Sequence, residues 1–281
     1  MEQQRKSRGK TMAAILVGGL MAAFLTAAFA VAASNKPIKP VKRSDDAATD
    51  LARSIVEGNP DTVIRSKFVT IPPGGKPVAI GTSPLSGFPR KGSSFAVLST
   101  GCATLADNPN KSGSLGCRNG GVKTRGARDV IIWRIRFQVP KGSNCLSFRF
   151  KFLSDEYPEW VGTEYSDAMM AEVRRSPSWR ASSNQDPSIT APDNFATTRD
   201  GKLISINSTG VARVSKGAAK GTTYDAATGK LRASTRVKPG KHLLYISLFD
   251  QGDRQYDSAV FIDRLLVRDA NKCRSGVVGS N

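Results

Sequence analysis

Histidine is almost absent from this chain of 281 residues, and the motifs of several common enzyme classes are missing as well. The single histidine, His242, stands behind the Pro239-Gly240 turn, where a surface or strand-edge residue is more typical than a catalytic base. The chain contains no G-x-S-x-G, H-E-x-x-H or G-x-x-x-x-G-K-S/T motif, the local signatures of α/β-hydrolases, zincins and P-loop enzymes. We therefore expect a protein that is not an enzyme.

Charge is missing from one long stretch near the N-terminus. Residues 12–33 carry no charged side chain, follow four basic residues, and contain small-x-small sites such as Ala28-Phe29-Ala30. This pattern is typical of an export segment. As a helix it would span about 33 Å, so it is either a signal peptide that is cleaved or a signal anchor that is retained. Either way we expect a secreted or extracytoplasmic protein that touches the membrane only through this segment.

Cysteine is scarce and lacks the C-x-x-C spacing of metal sites. The four cysteines are an even number in an exported chain, which favours two disulfides over metal ligation. Of the three connectivities, we favour Cys102 with Cys117 as a local clamp and Cys145 with Cys273 as a tie between the chain end and the domain body.

Basic residues greatly outnumber acidic ones, 42 against 23. Without residues 1–33, the chain keeps 38 basic and 22 acidic residues, a net charge of +16. Such a surface attracts polyanions. Outside the cytoplasm we expect cell-envelope polymers or surface glycans as partners, and no nucleic acid. The alternative is that the charge confers solubility alone.

Period-two alternation of apolar and polar residues dominates the exported part. Residues 131–139 and 146–152 alternate in this way, which places Trp133, Phe148 and Phe150 inside a sheet sandwich. One helix is expected near residues 48–56, with Ser44 or Asp45 as its cap. We predict an all-β fold, an antiparallel, jelly-roll-like β-sandwich with one short N-terminal helix.

The domain organisation follows from these patterns. We expect an export segment at 1–33, a Pro-rich linker at 34–46, one sandwich domain at 47–270 and a tail at 271–281. Residues 176–200 are rich in Ser, Asn, Pro and Thr and are interpreted as a long surface excursion. Trp179 is its one large apolar side chain, and we expect it to anchor its own loop rather than to bind a ligand.

Acidic residues concentrate in two loops, around 152–167 and 249–261. We expect the loops to meet at one end of the sandwich and to form a calcium site or a set of turn caps. Calcium would need six to eight oxygens, which side chains and backbone carbonyls of two loops can supply. The candidate ligands are Asp155, Glu156, Asp167, Asp250, Asp253 and Asp257.

Two other roles for these acids are open. They can cap their own turns or pair with Arg149, Lys151, Arg174 or Arg254. Pairs such as Glu156 with Glu159, or Asp155 with Asp167, can also supply the two carboxylates of a glycosidase.

Several blocks of the sequence, in order, resemble the choice-of-anchor L domain family. They are Val97-Leu98-Ser99-Thr100-Gly101, followed by Asn108-Pro109-Asn110, then Phe150 to Val161, Ser166-Asp167, and Tyr256-Asp257-Ser258-Ala259-Val260-Phe261. The resemblance implies a bacterial exported module with no assigned molecular activity.

The resemblance extends over 51–267 and includes departures from the family pattern. Asp155 stands where the family commonly has Glu, and Ser166 replaces an amide side chain. Gly276 to Asn281 holds none of the anchoring signals for which the family is named. This member is then released, held by its N-terminal segment or retained by charge.

Three functions fit the sequence. The first is a non-enzymatic exported or envelope-associated module that is structural, adhesive or ligand-binding. The second is a carbohydrate-active enzyme that uses the acidic loops. The third is an envelope protein that binds polyanions through its charge.

Overall fold

The computed structural model describes residues 37–108, 121, 123–163, 165–182, 188–252 and 255–280. The export segment expected at 1–33 lies outside these residues. Within the described ranges, no helix is both long and apolar enough to cross a membrane.

One α-helix and fifteen strands are found in the described part of the chain. The helix is α1 (Asp45–Ser54). The strands are β1 (Ile38–Pro40), β2 (Val63–Thr70), β3 (Val78–Gly81), β4 (Phe95–Ser99), β5 (Arg128–Val139), β6 (Cys145–Ser154), β7 (Ala168–Val173), β8 (Arg180–Ser182), β9 (Ser188–Thr190), β10 (Ile204–Ser205), β11 (Ala226–Ala227), β12 (Leu231–Arg236), β13 (Gly240–Asp250), β14 (Ser258–Arg268) and β15 (Gly276–Gly279).

Helix α1 begins where its capping residue predicts. The Ser44 hydroxyl accepts a hydrogen bond from the backbone N–H of Ala47, which satisfies one of the free donors of the first turn. Ala48, Leu51 and Ala52 form the buried face of the helix. The predicted helix is therefore confirmed, with Ser44 as its N-cap.

Two antiparallel sheets form the sandwich. The larger has the strand order β1-β3-β4-β14-β6-β12-β15, and β11 also pairs with β6. The smaller has the order β10-β7-β13-β5-β2, while β8 and β9 form a separate hairpin. Because every strand pair in these sheets is antiparallel and α1 is the only α-helix among the described residues, the predicted all-β class is confirmed.

Inward-facing side chains of the two sheets form the main core. Trp133 of β5 and both Phe148 and Phe150 of β6 are fully buried, as the alternation predicts. The indole N–H of Trp133 donates to the Ser66 hydroxyl at 2.6 Å, so this buried polar group has a partner.

Each sheet also carries apolar side chains on part of its outer face. Phe88, Phe95 and Phe261 pack together over the larger sheet. Trp179 stacks on Phe249 over the smaller sheet, with ring centroids 4.2 Å apart. Its indole N–H donates to the hydroxyl of Ser247, and the whole side chain is buried. Trp179 therefore anchors its own loop, as predicted.

Two segments that were expected to lie outside the sandwich contribute edge strands. Ile38–Pro40, within the expected linker, forms β1 and pairs with β3. Gly276–Gly279, within the expected tail, forms β15 and pairs with β12. Segments of three or four residues are too short to show a period, so pairing with a neighbouring strand decides their structure.

The Cys145–Cys273 disulfide is present and joins residues 128 positions apart. This confirms the predicted tie between the chain end and the domain body. The proposed partner of Cys102, Cys117, lies outside the described residues, so that bridge stays a prediction.

Candidate functional site

The two acidic loops meet at one end of the sandwich. The larger sheet brings them together, because Ser154 at the end of β6 lies opposite Ser258 at the start of β14. Beyond this pair, the backbone N–H of Asp155 donates to the carbonyl of Asp257 at 3.0 Å. We call this region the acidic end.

Four of the predicted carboxylates at the acidic end are almost completely buried. Asp155, Glu156, Asp167 and Asp250 are each 1% exposed. Asp257 is buried as well. Asp253 lies outside the described residues. An ionised carboxylate at such a depth needs hydrogen-bond donors, a cation or a proton to offset the loss of water.

Backbone N–H groups satisfy some of these carboxylate oxygens. Asp155 accepts from the N–H of Asp225 at 3.1 Å. Glu156 accepts from the N–H of Asp167, and Asp167 in turn accepts from the N–H of Gln251, both at 3.2 Å. These bonds fit the turn-capping alternative and link the two loops to each other.

Other oxygens at the acidic end are buried without a hydrogen-bond partner among the described residues. They are Oδ2 of Asp155, Oδ2 of Asp167 and Oδ1 of Asp250. The Asp167 and Asp250 side chains nevertheless interact with each other, and with Ser258 and Thr100 respectively. Buried acceptors of this kind are rare in folded proteins, because each lacks a donor to replace water. The acidic end therefore has unused capacity for a cation or for protons.

Burial and mutual repulsion raise the pKa values of these groups. Burial, followed by the charges of Asp225 and Asp257, raises the pKa of Asp155 to about 8. The pKa values of Asp167 and Asp250 are raised well above the ordinary value of 3.8, mainly by burial. The charge of Asp250 adds to the rise at Asp167. Without a cation, Asp155 therefore holds its proton at neutral pH.

The expected basic partners of the acids are engaged elsewhere. Lys151 is buried and donates to Ser86 and to the carbonyl of Ala218, all at 2.8 Å. Arg174 pairs with Asp193. Arg254 lies outside the described residues. Charge pairing with Lys151 or Arg174 is thus not what stabilises the acidic end.

The described side chains do not by themselves form a metal site. No three His, Cys, Asp or Glu side chains in the described ranges are arranged so that they could hold one metal ion. The calcium prediction therefore remains a prediction.

Aromatic rings cover the acidic end. Trp160 packs against Tyr165 and Tyr256, with centroid distances of 5.1 and 5.9 Å. The backbone also approaches closely at two glycines. A Cβ at Gly101 would lie 2.0 Å from a carboxylate oxygen of Asp257, and one at Gly252 would lie 2.6 Å from the ring of Tyr165.

A second candidate site lies on the outer face of the smaller sheet. Side chains from β2, β5, β13 and the end of β7 line a cavity of about 460 Å³. We call it the basic groove. Its charged and polar lining residues are Arg65, Arg134, Arg136, Arg174, Arg175, Lys241 and His242.

Like charges face each other across the strands beside this groove. Arg65 lies opposite Arg136, and Lys67 lies opposite Arg134. The sequence predicts that Arg134 and Arg136 lie on the solvent-facing side of β5, because they alternate with apolar residues. It does not predict that Arg65 and Lys67 lie opposite them, because the register of β2 against β5 depends on tertiary structure.

The chain matches a family model, and its similarity to individual known proteins is distant. No match is found among curated proteins. Among solved structures, the carbohydrate-binding module TmCBM61 in complex with β-1,4-galactotriose aligns with a TM-score of 0.31 and 9% identity. That alignment covers 73% of this chain and 88% of the other. The model of the choice-of-anchor L domain matches residues 82–265, and the chain belongs to this family.

Proposed function

We propose that this protein is a non-enzymatic, exported module that binds an anionic cell-envelope polymer or surface glycan through the basic groove. The N-terminal export segment, whether cleaved or retained, would place the sandwich outside the cytoplasm. The observation that carries the proposal is that two pairs of basic residues occupy directly opposed positions on β2 and β5.

Directly opposed like charges destabilise a strand pair. None of the ion pairs found among the described residues includes Arg65, Lys67, Arg134 or Arg136. A surface shaped for solubility alone would intersperse charges of both signs. A bound polyanion would remove the repulsion, and guanidinium groups bind carboxylate, sulfate or phosphate oxygens through two parallel hydrogen bonds.

Binding of defined polymers to immobilised protein tests this function. Polygalacturonate and polyphosphate supply carboxylate and phosphate charges, while neutral galactan controls for sugar recognition without charge. We expect Arg134→Gln/Arg136→Gln to weaken polyanion binding about tenfold or more, since two charge-assisted contacts are lost. Arg213→Gln/Lys216→Gln, at exposed positions outside the groove, should change it less than about twofold.

Equal losses in the two double variants would mean that net charge alone attracts the polymer. Absence of binding to either polyanion at low salt would remove the proposed function. Tight binding of galactan alone would replace charge recognition by sugar recognition.

The carbohydrate-active alternative is not favoured by the geometry. An acid and base pair must contact the scissile glycosidic bond, whereas Asp155, Glu156 and Asp167 are each 1% exposed. Hydrolysis of a glycan panel that is abolished by Glu156→Gln would reinstate this alternative.

We also propose calcium as a structural cofactor of the acidic end. The carboxylates of the acidic end offer only oxygen atoms as metal ligands, and oxygen ligands suit a hard cation such as calcium. The unpartnered Oδ2 of Asp155 and the close approach of the Asp167 and Asp250 carboxyl groups support the proposal. Calcium would stabilise the contact between the two loops by replacing the protons that burial otherwise imposes.

A further inference from the structure

Three arginines cluster on the outer face of the larger sheet, far in sequence from one another. Arg149 lies on β6, Arg232 lies directly opposite it on β12, and Arg264 lies on β14 at the other side of β6. The three are partly buried. We call them the arginine cluster.

Carboxylates neutralise only one member of this cluster, Arg264. Asp263 lies opposite Arg149, but its oxygens accept hydrogen bonds from the backbone N–H groups of Arg90, Lys91 and Arg264. Glu57 pairs with Arg264 and with Lys91. In the described part of the chain, no ion pair is found for Arg149 or Arg232.

The cluster is held together against repulsion. Burial, and then the charges of Arg264, Arg232 and Arg90, lower the pKa of Arg149 below its ordinary value. The Nε atom of Arg232 is buried without a hydrogen-bond partner among the described residues. Arg149 and Arg232 are also a directly opposed like-charge pair, which costs stability in a sheet.

Backbone strain at Arg264 adds a further cost. Its φ angle is 56°, in the left-handed region, at an irregularity in the pairing of β14 with β6. A β-bulge redirects side chains and is found most often at sheet edges and functional sites. Here it lies between two central strands, and Arg264 contributes to the same cavity as Arg149 and Arg232.

The cavity between these side chains has a volume of about 210 Å³. Ser147, Glu57 and Arg268 complete its polar lining. It adjoins a larger groove that shares Arg232 and Arg268. The small cavity therefore has room for one compact anion, and the groove provides a path for the chain that carries it.

We propose that the arginine cluster binds a single tetrahedral oxyanion, the phosphate group of a phosphorylated polymer or sugar. Arg149 and Arg232, on adjacent strands, can present parallel N–H groups to several oxygens of one such anion, while Arg264 beside them is held by Glu57. A tetrahedral oxyanion offers three or four oxygens in different directions and can accept from both guanidinium groups at once, whereas a carboxylate offers only two oxygens in one plane. This site is independent of the basic groove, which lies on the other sheet.

Calorimetric titration of the purified protein with inorganic phosphate, at ionic strength fixed with chloride, tests the site. We expect saturable binding that Arg149→Gln and Arg232→Gln each weaken about tenfold or more. Arg213→Gln, at an exposed position outside both the arginine cluster and the basic groove, is the matched control and should weaken phosphate binding less than about twofold. Equal losses in all three variants would overturn the proposal, as would the absence of heat at about 10 mM phosphate.

Melting temperature gives a second readout that a purely structural role would not produce. Without phosphate, Arg149→Gln should melt at or above the unsubstituted protein, because it relieves repulsion. Phosphate should raise the melting temperature of the unsubstituted protein and not that of the variant. A variant that melts lower in both buffers would make Arg149 a structural residue and would refute the site.

Three further probes identify the source of the phosphate. Glycerol 3-phosphate stands for a monoester, diethyl phosphate for a diester, and sulfate for an oxyanion without phosphorus. Preference for the monoester indicates a phosphorylated sugar, and preference for the diester indicates a polymer joined through phosphate. Sulfate bound more tightly than all the phosphates would contradict the assignment.

Discussion

Because of the acidic end, the free energy of unfolding should fall as pH rises and should increase when calcium is added. In chelator, the folded state keeps Asp155 protonated up to about pH 8, whereas the unfolded chain loses that proton near the ordinary value of 3.8. The stabilisation is thus complete below 3.8 and is lost as pH rises through about 8. Asp167 and Asp250 are shifted in the same direction.

The size of the pH effect on the free energy of unfolding can be calculated from Asp155 alone. A rise from 3.8 to about 8 corresponds to about 5 to 6 kcal/mol at about 1.4 kcal/mol per pH unit. Between pH 5 and 8 the loss is about 3 to 4 kcal/mol, a large part of the 5 to 15 kcal/mol typical of a domain. The charges of Asp225 and Asp257 add to the rise in the pKa of Asp155, that of Glu156 adds to the rise at Asp167, and that of Asp129 adds to the rise at Asp250.

Urea unfolding at pH 5 and pH 8, in chelator and then in millimolar calcium, measures these effects. We expect the free energy of unfolding to fall with pH in chelator and to recover at pH 8 in calcium, because the cation replaces the protons. Asp155→Asn should flatten the pH dependence, while Glu159→Gln, at an exposed position in the same loop, should leave it unchanged.

Stability that is constant or rises from pH 5 to 8 in chelator would refute the reasoning on burial. A fall with pH that calcium does not reverse would keep that reasoning and eliminate calcium as the cofactor.

Three shorter predictions concern the core, the cysteines and a glycine contact. Phe150→Ala should lower the free energy of unfolding by about 3 to 5 kcal/mol, measured by urea unfolding, because its ring is fully buried between the sheets; an unchanged midpoint would contradict the facing of β6. Thiol titration of the denatured, non-reduced protein should find no free thiol, and peptide mapping should recover Cys145 joined to Cys273; two reactive thiols would leave only that bridge. Gly101→Ala should cost about 1 to 3 kcal/mol in the same unfolding assay, since the new methyl would meet Asp257 at 2.0 Å; Gly142→Ala, with open space around it but a positive φ, controls for backbone strain.

Local patterns were enough to predict much of the fold. The alternation in β5 and β6 predicts which side chains are buried, because a strand exposes one face to each layer. The cap at Ser44 and the spacing of Ala48 and Leu51 predict the helix. The edge strands β1 and β15 escaped prediction, because three or four residues carry no periodic signal.

Of the candidate sites, the acidic end could be predicted from the sequence and the arginine cluster could not. Acidic residues concentrated in two loops of a basic chain predict that the loops meet and share hydrogen-bond donors or a cation. Without these, carboxylates that lie close together repel one another. The arginine cluster could not be predicted, because Arg149, Arg232 and Arg264 become neighbours only through the pairing of β6 with β12 and β14. Strand register is a tertiary property that no local pattern contains.

The bridge between Cys145 and Cys273 has a mechanical consequence. Tension applied beyond β15 would first unzip that strand from β12 and then reach the covalent link. From there the force would pass to Cys145 and then along the chain towards β5 (Arg128–Val139). The chain between the two cysteines, which contains β6 to β14, would carry none of this load through its own backbone while the disulfide holds.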